Sequence, residues 1–138
     1  MEDLTKYDED FFLFLEGGFI AINQADEEAA EKMFKACALL RPDNSLITVG
    51  LGYLHLHKLE LSKAIEYFKA VIDKEPDNAM AQTFLGIAMS LTPDQVTEGE
   101  KVLEKALKNS DDDDVKKVAN TTLEFVDHYV KKTGAPPR

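Results

Sequence analysis

The chain has no tryptophan, a single cysteine and few prolines. One cysteine, Cys37, excludes an internal disulfide and fits a reducing compartment. Long apolar runs are missing too. Phe11 to Leu15, the longest near the N-terminus, is far too short to span a bilayer. Met1-Glu2-Asp3-Leu4 is acidic where a signal peptide is basic, so a cytoplasmic, unexported protein is expected. Basic residues are scarce, 16 against 26 acidic ones, for a formal net charge of −10. That balance argues against nucleic acid, which needs clustered Lys and Arg, and against anionic membrane surfaces. It favours basic partners over acidic ones.

Motifs of chemistry are equally scarce. No phosphate loop, dinucleotide fingerprint or nucleophile elbow occurs. His55 and His57 stand two apart on a helix and point to nearly opposite sides, which does not suit a metal pair. His128 lies one turn from Glu124 and reads as a solvated pair. Asp111 to Asp114 lack the glycine and distant glutamate of an EF-hand loop, and a helix N-terminus explains them better. Cys37 reads as a small buried residue with no basic partner to activate it. No enzyme activity, cofactor or metal is expected.

What the chain does have is a repeat. Gly18, Ala30, Phe34 and Pro42 recur thirty-four residues later as Gly52, Ala64, Phe68 and Pro76, and Gly86 continues the series. Matches at that period are the mark of a helix-turn-helix repeat. Apolar spacing predicts helices over about 9–23, 27–39, 44–57, 61–74, 78–90, 93–108 and 111–132. Asp26 is the expected N-cap of the second helix. Arg41-Pro42-Asp43-Asn44 and Glu75-Pro76-Asp77-Asn78 each stop one helix and start the next. Thr92-Pro93-Asp94-Gln95 reads as N-cap, first-turn proline and capping box for the sixth. The aspartates at the front and Lys131-Lys132 at the back suit one long final helix. Residues 133–138 form a Pro-containing tail. With 138 residues and 44% hydrophobic content, a single all-α domain is expected over 1–138.

These residues resemble the tetratricopeptide repeat family. That family places a small residue, usually Gly, on the first helix, then Ala, an aromatic and a small residue on the second, and closes with Pro. Repeat two, about 45–78, matches with Leu51, Gly52, Ala64, Phe68 and Pro76. Repeat one, about 11–44, matches with Gly18, Ala30, Phe34, Cys37 and Pro42, but has Gly17 where a large apolar residue is usual. Repeat three, about 79–110, matches with Leu85 and Gly86 and then, after one inserted residue near Thr92, with Gly99, Leu103 and Ala106. It lacks the closing Pro. The family's tryptophan is missing, and its first-helix tyrosine position holds Ala21, His55 and Met89. The resemblance implies a solenoid of three helix-turn-helix pairs with a C-terminal capping helix, 111–132.

It also implies a concave groove lined by the first helix of each pair. Carried over residue by residue, the lining is Phe12, Leu15, Phe19 and Ile22, then Leu46, Val49, Tyr53 and Leu56, then Met80, Thr83, Ile87 and Ser90. None is charged, so the basic clamp that captures acidic C-terminal tails is absent. An apolar groove suits an amphipathic helix or an apolar segment, with the Tyr53 hydroxyl meeting the client's polar edge. Within the family, the size, charge and groove resemble the cytosolic chaperones of bacterial type III secretion, which hold a needle subunit or translocator before export. The implied partner is a client helix, with a small co-chaperone as an additional partner. Self-association of the free chain is expected from its exposed groove. A general scaffold or adaptor is the alternative reading.

Overall fold

The structure, a computed structural model, describes residues 8–131 and is all-helical over that span. Seven α-helices follow one another: α1 Asp8–Asn23, α2 Glu27–Leu40, α3 Ser45–His57, α4 Leu61–Lys74, α5 Ala79–Ser90, α6 Val96–Asn109 and α7 Asp113–Phe125. A π-helical turn, Val126–Lys131, continues α7. Each helix packs on its sequence neighbour. In addition α1 meets α3, α3 meets α5, and α5 meets α7. Contacts are therefore local along the chain, pair on pair, as a helical repeat requires.

The period is written into the turns as well as the core. Ala25 and Leu59, thirty-four residues apart, both adopt left-handed backbone, with φ of 58° and 57°. Around each, the chain closes the same way. Ala25 N–H donates to the Ile22 carbonyl and Asp26 N–H to that of Ala21. Leu59 N–H donates to the Leu56 carbonyl and Glu60 N–H to that of His55. This double bond pattern satisfies the last carbonyls of a helix and normally uses glycine. A left-handed leucine costs about 1–2 kcal/mol, partly offset by the lower chain entropy of leucine when unfolded. Leu59→Gly is therefore expected to raise stability by about 0.5–1 kcal/mol, since Leu59 is largely exposed and little burial is lost. A urea midpoint no higher than wild type would contradict the strain argument.

Caps repeat at the same interval. Asn44 accepts from Leu46 N–H, Asn78 from Ala81 N–H, and Asp112 from Asp114 and Val115 N–H. Asp26 caps α2 through Ala29 N–H. Each cap meets donors that the first turn leaves unpaired. The third repeat of caps places α7 where the first helix of a fourth pair would stand.

Between paired helices, glycine faces a large side chain. A Cβ on Gly18 would lie 2.6 Å from the Phe34 ring, one on Gly52 2.5 Å from Phe68, and one on Gly86 2.5 Å from Leu103. Ala30, Phe34, Ala64, Phe68, Leu85 and Leu103 are all buried, in agreement with the register read from the sequence. At the fourth position of the glycine series stands Asn120, exposed on α7. Gly52→Leu is expected to cost about 1–3 kcal/mol or more, because Phe68 is fully buried and has nowhere to move. Gly17 behaves differently. Its Cβ would touch only the flexible Met33 side chain, at 3.4 Å. Gly17→Ala is expected to add about 1 kcal/mol through helix propensity, while Gly18→Ala subtracts about as much or more by overpacking. Thermal melts of the two neighbours should shift in opposite directions.

Two expectations are corrected. The sixth helix starts at Val96, not 93, and the capping box at Thr92 does not form. The Thr92 hydroxyl donates back to the Ala88 carbonyl at 2.8 Å, and Asp94 is left-handed at φ 71°. That consumes the proposed cap and breaks the turn. The final helix is also not one uniform α-helix. It is α-helical to Phe125 and π-helical from Val126, where a buried Val126 begins the wider turn. Lys132, the tail 133–138 and the N-terminal residues 1–7 lie outside the described residues.

Candidate functional site: an aromatic face on the first helices

Steps of thirty-four residues put equivalent positions side by side on α1, α3, α5 and α7. A row of aromatic rings runs across them, with Phe19 and Tyr53 at the thirty-four-residue step and Phe84 three residues before the next such position, Ile87. Phe19 on α1 meets Tyr53 on α3 at 5.4 Å between centroids, and Tyr53 meets Phe84 on α5 at 5.1 Å. Behind them Phe19 makes an edge contact with Phe34 at 5.8 Å, and Phe84 rests on Phe68 at 5.6 Å. The row is thus anchored from below by the two aromatic residues that fill the repeats. Phe19, Tyr53 and Phe84 are each half-buried and present their remaining surface outward. Aromatic pairs at these distances add about 0.5–1.5 kcal/mol beyond burial, so the row is held rigid.

Polar groups edge the row at the ends of α1 and α3. The Tyr53 hydroxyl donates to Asn23 Oδ1 at 2.8 Å. Its proton is thereby committed within the protein, and its oxygen remains able to accept. The bond leaves the Asn23 amide N–H groups as the donors. His57 packs against the Tyr53 ring at 4.5 Å. Next to it, Lys58 bridges Glu27 and Glu60, each at 2.8 Å, and ties the α1–α2 turn to the α3–α4 turn. Lys58 holds the Glu60 carboxyl down to about 2. Burial pushes the Tyr53 phenol up, so it stays neutral at physiological pH.

The twelve groove candidates divide. Phe19, Tyr53 and Ile87 are half-buried on the shared face, and Leu46 is half-buried against the first core cluster. Phe12 and Met80 are open, at 56% and 39% exposure. Leu15, Ile22, Val49, Leu56 and Thr83 are core residues with almost no free surface. Thr83 also spends its hydroxyl on the Ala79 carbonyl, and Ser90 is buried as well. Leu15, Ile22, Val49, Leu56 and Thr83 cannot line a groove, because the first helices are covered on most sides, while Ser90 reaches only the wall of the α5–α7 cleft. α3 alone packs against α1, α2, α4 and α5.

The sequence reading missed Phe84, Leu91 and Phe125. Phe84 fell between chosen positions, one residue beyond Thr83. Leu91 and Phe125 belong to a row Asn23, His57, Leu91, Phe125, spaced at thirty-four, which only an extension of the period into α7 reveals. Together with Ile87, Thr121 and Thr122 they line a cleft of about 280 Å³ between α5 and α7.

Cys37 is fully buried, and its thiol donates weakly to the Phe11 carbonyl at 3.7 Å. Burial raises its pKa and keeps it a thiol. His55 faces away from the aromatic row and stacks on Tyr67 at 5.3 Å. Among the described residues, no group of three or more His, Cys, Asp or Glu is placed to hold a metal ion. Nor is any described helix long and apolar enough to cross a membrane. The arrangement is a partly exposed face, aromatic in its centre and polar at one corner. No protein-family model, curated protein or solved structure matches the chain.

Proposed function

We propose that this chain is a non-catalytic chaperone of the tetratricopeptide type, which holds an amphipathic or apolar helix of a protein client against the shared face of its first helices. The observation that carries the reading is the Phe19–Tyr53–Phe84 row, an aromatic strip with no charged residue in it, backed by Phe34 and Phe68. Rigid aromatic surface is what anchors a helix laid across a groove. The solenoid with a concave inner face is part of the same proposal, supported by the pair-on-pair contacts and the repeated turns.

The client class follows the resemblance. A small acidic protein with three such pairs suits a type III secretion chaperone in the bacterial cytoplasm, guarding a needle subunit or a translocator. Leu13 and Ile20, exposed on α1 beside the acidic Glu9 and Glu16, fit the additional small co-chaperone. The adaptor reading draws on α2, where Leu39 is 87% exposed.

Co-expression with the flanking genes of its source, followed by mass spectrometry of what co-purifies, identifies the client. The purified chain is then expected to keep that client soluble at equimolar ratio. A chaperone suppresses client aggregation, whereas an adaptor that joins two folded proteins leaves it unchanged. An unsuppressed client would overturn the proposal.

A further inference from the structure

The cleft between α5 and α7 stands at the end of the aromatic strip. Ile87 is one helical turn beyond Phe84, and Leu91 one turn beyond Ile87. From α7, Thr121, Thr122 and Phe125 close the far wall. Thr122 turns its hydroxyl back to the Val118 carbonyl at 2.9 Å, which leaves its methyl for the cleft. Ser90 completes the lining, and no charged residue takes part.

The polarity of the site runs in one direction. The row Asn23, His57, Leu91, Phe125 is polar on α1 and α3 and apolar on α5 and α7. A ligand lying across the first helices thus meets amide and imidazole at one end and an open apolar cleft at the other.

We infer that this cleft is the end socket of the groove and receives one large apolar side chain, leucine, methionine or phenylalanine, from a client helix whose flanks are basic. The inference rests on the groove reading above. Two observations select the occupant. The uncharged lining would leave a charged side chain desolvated and unpaired. The net charge of −10 disfavours an acidic helix and attracts a basic one. Neighbouring helices pack about 10 Å apart, and a helix rises about 1.5 Å per residue. A client crossing at right angles therefore touches successive first helices about every seven residues, and its socket residue is the last of that series.

The test uses the full chain and a fluorescein-labelled, lysine-flanked leucine-heptad peptide, read by fluorescence anisotropy. A second peptide has its terminal heptad leucine replaced by alanine. Thr121 is exposed on α7, so Thr121→Phe fills the cleft from the surface, and circular dichroism checks that the helices persist. Thr121→Lys is a second filling variant. Both are expected to weaken the leucine peptide about tenfold or more. The alanine peptide is expected to bind wild type as weakly, with little further loss in the filled variants. Undiminished or tighter binding of the leucine peptide by the filled variants overturns the socket. If Phe19→Ala with Tyr53→Ala abolishes binding while the filled variants do not, the groove stands and the socket falls. If none of the variants weakens binding, both readings fall. If filling changes the sedimentation of the free protein and not peptide binding, the occupant is a second copy of this chain, and the inference is overturned.

Discussion

Phe68→Ala should be the most damaging single truncation in the protein. The ring is fully buried at the junction of α3, α4 and α5, in one core cluster with Val49, Val71, Leu85 and Met89. Gly52 cannot fill the space it leaves, having no side chain, and Phe84 loses the ring it rests on at 5.6 Å. Removing a buried phenylalanine costs about 3–5 kcal/mol, much of what a chain of this length has to spare. Equilibrium urea unfolding measures the loss directly. A cost below about 1 kcal/mol would mean that the site collapses around the cavity and that the Gly52–Phe68 interlock is not the organising contact. A milder outcome is expected for Phe68→Leu, because the third pair already uses Leu103 against Gly86 at the same close approach.

The double variant Phe19→Ala with Tyr53→Ala should lose the client. Both rings present free surface, and each meets the other, so the two truncations remove the centre of the strip. Anchors of this kind cost about 2 kcal/mol or more each when truncated, which together is on the order of a thousandfold in affinity. Both are half-buried, so some stability goes with them. Circular dichroism and a urea midpoint must establish that the variant is folded before capture is measured. Because the strip has no charge, the affinity it contributes should depend little on salt, whereas the contribution of a client's basic flanks falls as salt is added. A double variant that loses only the salt-sensitive part would shift recognition to the acidic surface. Undiminished capture by the folded double variant would move recognition away from this face and favour the adaptor reading.

The helix ends and the helix-pair register were legible because they depend on few residues. Gly18, Gly52 and Gly86 mark the close approaches, and Asn44 and Asn78 mark the starts. The start of α6 was not, because Thr92 can serve either as a cap or as a back-bonding hydroxyl, and local sequence does not choose between them. The connection Leu91–Gln95 is longer than Gln24–Asp26 or Lys58–Glu60, and the following connection is shorter, so α7 returns to register.

The binding face was only half legible. Helical spacing finds apolar residues, but it does not say which of two apolar neighbours points to the core. Val49 and Leu56 look like groove residues by spacing and are covered by α4 and α5. Tyr53, on the same helix, keeps an outward edge because its ring is braced by Phe19, His57 and Phe84. The α5–α7 cleft was invisible for a different reason. It requires α7 to be read as a repeat helix, and α7 lacks the glycine that marks the others, with Asn120 in its place.

Site-specific photo-crosslinking tests the central claim most directly. A photoreactive side chain is placed at His57, exposed at the edge of the aromatic row, and in a separate variant at Leu39, exposed on α2. In complex with the co-purified client, the probe at His57 should crosslink to an apolar helix of that client, and the probe at Leu39 should not. Crosslinks from Leu39 with none from His57 would place the client on the outer helices and contradict the account.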